Sequence, residues 1–268
     1  MAGASKTRDD LLRELARRAG MGEAEIAGYL DAPPLEPFEA AIVVTCMGRL
    51  GQLRRTLPLM LEHTPAPVVV VDWSCPEESG VWAENQSDRV FPLFKVGQTR
   101  FHKTAALNLG LQFAARKWGG WLLVCDADTM IREGLWSWLR ENLPAGAFAF
   151  MQGHSARRDL SGLLVMHAEH YGQSGGFDER MIGWGAEDWD MRARLHFKLG
   201  LPYVEIPWQL AEPISHDDYA RIRFQDCDRM DSYKANYKLL DQNVQDWTGQ
   251  HLHKVDPRRV RPLFGGMW

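Results

Sequence analysis

An α/β fold, with helices on both faces of a mostly parallel sheet, is what this 268-residue sequence predicts. Short apolar runs at Ala40–Val44, Val68–Val71 and Leu122–Val124 read as strands covered on both faces. Stretches of helical spacing lie between them, and that alternation is the mark of parallel strands joined by crossover helices. The third run ends in two acids, Asp126 and Asp128, at the edge where open α/β sheets place their ligands.

The elements follow in order. Residues 5–30 read as helical: Thr7 with Asp10 resembles a capping box, and Leu11, Leu12, Leu15, Ala16 and Ala19 share one face. Gly20 and Gly22 break that helix, and a second short one ends before Pro33-Pro34. Residues 1–36 are therefore expected to form a helical appendage on a main domain of residues 37–268. That domain opens with the strand at Ala40, followed by Thr45-Cys-Met-Gly-Arg49 and a helix to about His63. The second strand, Val68–Val71, ends in Asp72-Trp-Ser-Cys-Pro, and a third lies near Arg89–Phe94. A helix over Thr104–Lys117 feeds the strand that ends at Asp126.

After Leu143 the texture changes. Ala147–Gln152 and Leu160–His167 read as strands, and then comes the glycine-rich Ser174-Gly-Gly-Phe-Asp-Glu179. Gly183-Trp-Gly-Ala-Glu-Asp-Trp-Asp190 opens a helix expected to run to about Leu199. The glycines allow tight turns and close approach to a ligand. Glu187 and Asp188 fall in the first helical turn, where the helix dipole alone favours negative charge. A structural role and a catalytic one both fit that position.

Composition narrows the function classes. Hydrophobic content of 45% and charged content of 25% are those of a soluble globular protein. A net charge of −4 lacks the basic footprint of a nucleic-acid binder, and Arg258-Arg-Val-Arg261 is too short a cluster to change that. The longest apolar runs are far too short to span a bilayer, and no leader pattern opens the chain, so a cytoplasmic protein is expected. Cys46, Cys75, Cys125 and Cys227 form no Cys-x-x-Cys pair and read as reduced, structural thiols.

Asp-x-Asp occurs at Asp126–Asp128, Asp188–Asp190 and Asp226–Asp228, but only the first follows an apolar strand. Side chains at i and i+2 of an extended segment point to the same side, so these two carboxylates repel unless a cation or hydrogen bonds offset the charge. A divalent metal bridging to a diphosphate satisfies this. A solvated strand-to-turn junction is the other reading.

Taken together, Thr45, Arg49, Asp72, Phe101–Gly110, Asp126-Ala-Asp128, Gly175-Gly-Phe-Asp-Glu179 and Gly183-Trp-Gly-Ala-Glu-Asp188 resemble the GT-A glycosyltransferases. The likeness is greatest to family 2 enzymes and the beta-1,4-galactosyltransferases. The segments come in the family's order and cover roughly residues 40–240. The resemblance implies a GT-A (Rossmann-like) fold, with a nucleotide-binding part over about 40–143 and an acceptor and catalytic part over about 144–240. It implies Asp72 on the nucleotide base, with Thr45 and Arg49 lining the same pocket. Phe101 would pack on the nucleotide sugar, Lys103 would lie near the diphosphate, and Asp126 would contact the ribose or sugar. Asp128 would ligate Mn2+ or Mg2+, with His216 of Ile-Ser-His-Asp-Asp as a late metal ligand. Trp184 and Glu187 would border the sugar and acceptor, and Asp188 would be the catalytic base.

The implied reaction moves a hexose or N-acetylhexosamine from a nucleoside diphosphate sugar, UDP by resemblance, to an acceptor hydroxyl. Asp188 favours inversion, because retaining GT-A enzymes with a similar motif carry Glu-Asn where this chain has Glu-Asp. A retaining GT-A transferase and a sugar nucleotidyltransferase are the alternatives. The second needs a phosphate loop, which Met47-Gly-Arg-Leu-Gly51 imitates poorly. A metal phosphohydrolase on His216-Asp217 lacks an upstream His cluster, and a non-catalytic sugar-binding module does not require intact acids. Two features depart from the family. The second strand ends in Asp-Trp-Ser-Cys rather than Asp-Asp-Gly-Ser, and the transmembrane segment and disulfides of the membrane-anchored galactosyltransferases are not evident.

Overall fold

The computed structural model describes residues 23–24, 40–152, 160–215, 223–225 and 227–264. The appendage expected over residues 1–36 lies outside them, apart from the helical pair Glu23 and Ala24. From Ala40 onward the chain alternates as expected. The strand β1 (Ala40–Cys46) leads to α1 (Leu50–His63), β2 (Val68–Trp73), α2 (Ser79–Glu84) and β3 (Val90–Lys95). Next come α3 (Lys103–Lys117), β4 (Trp121–Asp126), β5 (Thr129–Ile131), α4 (Leu135–Asn142), β6 (Phe148–Met151), β7 (Leu164–His167) and α5 (Ala168–Ser174). The chain continues through α6 (Glu187–Ala193), β8 (Tyr203–Ile206), β9 (Ala211–Pro213), α7 (Arg229–Thr248) and α8 (Pro257–Val260).

Seven strands form one sheet in the order β3-β2-β1-β4-β7-β6-β8, and β5 pairs with β9 in a small second sheet. Only β7 runs against its neighbours, β4 and β6; the remaining pairs of the large sheet are parallel. The sheet is mostly parallel and helix-flanked, in line with the expected fold class.

The strand β1 shows why. Its seven residues are all buried, and they alternate between two cores. Ala40, Ile42, Val44 and Cys46 pack on one face with Leu53, Leu57 and Met60 of α1. Ala41 and Val43 pack on the other with Leu107, Leu111 and Ala114 of α3. Truncating a fully buried Leu such as Leu57 or Leu111 to Ala costs about 2–5 kcal/mol in such cores. The helix α3 lies unusually close to the sheet at Gly110, where a Cβ would stand 2.5 Å from Val43 Cγ1. This close seat carries the N-terminus of α3 to the end of β4.

Two expectations are refined. The strand foreseen over Leu160–His167 is confined to Leu164–His167, because residues 160–163 form a tight turn in which the Leu163 N–H donates to Leu160 O (3.1 Å). The helix foreseen to about Leu199 is α6 for its first seven residues and a π-helical stretch over Arg194–Lys198. The 20-residue α7 has no counterpart in the sequence reading. Its buried face mixes Leu240 and Val244 with Ser232, Asn236 and Asn243, so its apolar period is weak. Among the described residues, no helix is long and apolar enough to cross a membrane.

Candidate active site

Strand order reverses at β1, with β2 and β3 on one side and β4 on the other. A crevice opens outside the carboxyl ends of strands at such a switch point. The register puts Thr45 opposite Asp126, and Cys46 opposite Asp72. Three of the residues expected to contact the donor thus line the ends of adjacent strands.

On the β2 side the local structure is tight. Asp72 is buried, and its two carboxylate oxygens accept from the N–H groups of Cys75 (2.6 Å) and Gly80 (2.7 Å). Its position is therefore fixed by the turn into α2, and each oxygen keeps a second lone pair. The departure Asp-Trp-Ser-Cys has work of its own: Trp73 Nε1 donates to Arg100 O (3.0 Å), and Ser74 Oγ donates to Lys95 O (2.7 Å). Arg49 precedes the first turn of α1. The Phe101 N–H donates to Phe224 O (2.8 Å), and a Cβ on Gly48 would fall 1.9 Å from the Phe224 ring. Gly48 N donates to Cys75 Sγ (3.1 Å), and Leu50 N donates to Glu77 Oε2 (2.8 Å). Those amides are already engaged, so the Met47–Gly51 stretch is not a free phosphate cradle.

The four cysteines are free, and Cys75 Sγ accepts from the Gly48 N–H and lies 2.9 Å from Ser79 Oγ. The neighbouring Cys46 thiol, above all, holds the Cys75 thiol down to about 5 against the opposing effect of burial, with Ser79 and the Gly48 N–H assisting.

The opposite wall is an ionic cluster. Lys103 Nζ stands 2.9 Å from Asp126 Oδ1 and 3.1 Å from Glu187 Oε1. A cation in the first turn of α3 opposes the helix dipole. Burial also disfavours the Lys103 charge, but Asp126, Glu187 and Asp188 outweigh it and raise its pKa well above the ordinary range. Burial pushes the Glu187 carboxyl upward, Lys103 pulls the other way, and the Asp188 charge adds to the rise. Glu187 Oε2 is buried with no hydrogen-bond partner. An orphaned carboxylate oxygen in a crevice suits a donor brought by a ligand, such as a sugar hydroxyl.

The loops that present these acids are held from behind. Gly183 and Gly185 adopt φ of 84° and 96°, and Ala186, directly before Glu187, has φ of 70°, a conformation its Cβ disfavours. Asn236 of α7 donates to the carbonyls of Ile182 (3.1 Å) and Gly185 (2.9 Å). Asn243 donates to Asp190 Oδ1 (2.7 Å) and Asp178 Oδ2 (3.0 Å). The Arg229 guanidinium lies 4.2 Å over the Trp184 ring. On the other side, Asn108 of α3 clamps the Gly-Gly-Phe-Asp-Glu loop: it donates to Phe177 O (2.9 Å) and accepts from Phe177 N (2.8 Å). We expect Asn108→Ala to destabilise the fold by about 1–3 kcal/mol, since the buried Phe177 amide loses its acceptor. A lowered urea midpoint with an unchanged slope checks this.

Among the described residues, no three His, Cys, Asp or Glu side chains gather into a cation cage. A cation here would complete its shell with phosphate oxygens and water, which is how hard ions such as Mg2+ bind beside one carboxylate. Lys103 engages Asp126, and Asp128 of the same Asp-x-Asp is the expected cation ligand. His216 lies outside the described residues. The chain reaches it from Ile214, whose N–H donates to Asp128 O (2.8 Å).

Comparison with known proteins bears on this site. Residues 149–209 match the family model described as the N-terminal domain of galactosyltransferase, a span that includes both glycine-rich motifs and Glu187-Asp188. The chain is a glycosyltransferase of the GT-A fold. TarS of S. aureus superposes with a TM-score of 0.55 at 12% identity, covering 84% of this chain and 70% of TarS. Glucosyl-3-phosphoglycerate synthase of Mycobacterium tuberculosis gives 0.54 at 13%, covering 83% and 84%. Beta-1,4-galactosyltransferase 7 of Drosophila gives 0.50 at 18%, covering 74% and 79%. At these identities the likeness is one of fold. No curated protein matches the sequence significantly.

The glycosyltransferase brings together Thr45, Asp72, Asp126 and Lys103 with Glu187 along one crevice, and sets Asp188 next to Glu187. Sequence reasoning gave no individual role to Asn236, Asn243, Asn108 and Arg192. Asn108 carries a signal, being polar among the apolar Ala106, Leu107 and Leu111. Asn236 and Asn243 act across long separations that no spacing reveals, and Arg192, one turn after Asp188, is set apart only by its burial.

Proposed function

We propose that this glycosyltransferase transfers a hexose or N-acetylhexosamine from a UDP-sugar to an acceptor hydroxyl, with inversion and with a divalent cation. The observation that carries the reading is the Lys103 bridge, which ties the end of the Asp-x-Asp strand to the Glu-Asp helix in one crevice. Fold neighbours support the donor and the metal: TarS has been solved with UDP-GlcNAc, and glucosyl-3-phosphoglycerate synthase with Mn2+ and UDP.

In this reading Thr45, Arg49, Asp72 and Phe101 receive the nucleoside, and Asp126 orients the ribose or sugar. Lys103 pairs with both Asp126 and Glu187 and holds the two acids in place beside the donor. Asp128 and His216 would hold Mn2+ or Mg2+, which when bound offsets charge growing on the leaving diphosphate. Glu187 and Trp184 border the transferred sugar and acceptor, with Glu187 Oε2 open to a hydroxyl. Asp188 takes the acceptor proton as the new bond forms. A cytoplasmic location completes the proposal, supported by cysteines that are all free.

A thermal-shift screen of nucleotide sugars with manganese tests it. A ligand at 100 times its Kd stabilises the native state by about 2.7 kcal/mol, a readily seen rise in Tm. A UDP-sugar is expected to give that rise only with the metal present. No shift with any nucleotide sugar would defeat the proposal.

A further inference from the structure

Arg192, in the last turn of α6, is the least expected residue near the site. Its side chain is 1% exposed, a rare state for a guanidinium. Nη1 donates to Leu263 O (2.9 Å), Nη2 donates to Ser161 O, and the charge sits 4.5 Å over the Phe150 ring. The group is thus clamped by the C-terminal segment, the turn before β7 and the strand β6. Its nearest countercharge is Asp188 Oδ2, 4.0 Å from Nη2 and one helical turn earlier. The Ser161-Gly162 turn reaches further into the site, because a Cβ on Gly162 would lie 2.0 Å from Asp126 Oδ2.

We propose that Arg192 is a positioning residue for Asp188: a clamped guanidinium fixes the carboxylate from inside the protein and leaves its outer side to the acceptor. The proposal rests on the reading of Asp188 as the base. Other charges meet Asp188 as well: Glu187 beside it on α6, and Lys103 from α3. Each cation meets three carboxylates: Lys103 faces Asp126, Glu187 and Asp188, and Arg192 faces Asp188, Glu205 of β8 and Glu187. Arg192 is the only one of these cations that approaches Asp188 from within the core. Arg194, two residues on, serves a different pair: it binds Asp190 (2.8 Å) and stands 3.7 Å from Asp178, so it cannot substitute.

Two measurements separate this role from plain packing. In kinetics, Arg192→Met is expected to lower kcat about 10²-fold with the donor KM little changed, because displacement of a reacting group by about 1 Å has that effect. Arg192→Lys, which keeps the charge but not the fork, should recover part of the loss. In thermal melts, Asp188→Asn should lower Tm by stranding a buried cation, and adding Arg192→Met should restore part of it. The melting cycle does not depend on catalysis. A restored Tm alongside full activity of Asp188→Asn would reject the base and keep the contact. Additive Tm losses, or equal losses in kcat and donor affinity, would overturn the proposal. Should Arg192→Met not fold, Arg192→Gln, which also removes the charge but keeps an N–H donor, runs the same cycle alone and with Asp188→Asn.

Discussion

Asp188→Asn is expected to lower kcat by about 10²–10⁴-fold, the usual effect of losing a general base. The substitution is nearly isosteric, so the crevice keeps its shape while the carboxylate that accepts the proton is gone. Donor affinity should change little, because the proposed arrangement puts Asp188 on the acceptor side and the donor on the residues at the ends of β1, β2 and β4. Removing Glu187 should instead raise the acceptor KM at least as much as it lowers kcat. Steady-state kinetics with calorimetry of UDP-sugar binding checks all three outcomes. The anomeric configuration of the product is the sharper test: a one-step displacement assisted by one base inverts it. Retention, or near-normal turnover of Asp188→Asn, would end the assignment.

Withdrawal of the divalent cation is expected to have the next largest effect. A Lewis acid on the leaving diphosphate contributes several kcal/mol, which is about 10²–10³-fold or more in rate. Excess chelator should therefore silence transfer, and added Mn2+ or Mg2+ should restore it. Asp128→Asn should weaken metal and donor binding together, while Asp126→Asn should harm donor binding without the same metal requirement, since Asp126 is already paired with Lys103. Undiminished turnover in chelator would sink the metal proposal. Titrating Mn2+ into each variant with UDP release as the readout distinguishes the two carboxylates.

The strand-helix alternation and the burial of β1, β2 and β4 on both faces were legible because each depends on near neighbours in the chain. Val68–Val71 is apolar throughout, and only a strand covered on both faces can use such a run. Asp126 was legible as a strand-end carboxylate because it closes such a run. The glycine-rich motifs were legible as a family signature, and the match over residues 149–209 falls on them. The antiparallel sense of β7 was not, because alternation of side chains is the same in either direction. Nor was α7, whose buried asparagines hide the helical period that its two buried aliphatics leave incomplete.

Read alone, then, the chain specifies its layered architecture, the alternation of its first strands and helices and the acids at their ends, all consequences of local periodicity and of backbone conformations that single residues favour. Folding was needed to show that Lys103 serves Asp126 and Glu187 at once, that Asn108 holds Phe177, and that Arg192 lies buried behind Asp188. Those contacts join residues far apart in sequence, or depend on how completely water is excluded. Desolvation and charge coupling belong to the packed environment, and no spacing along a chain encodes them.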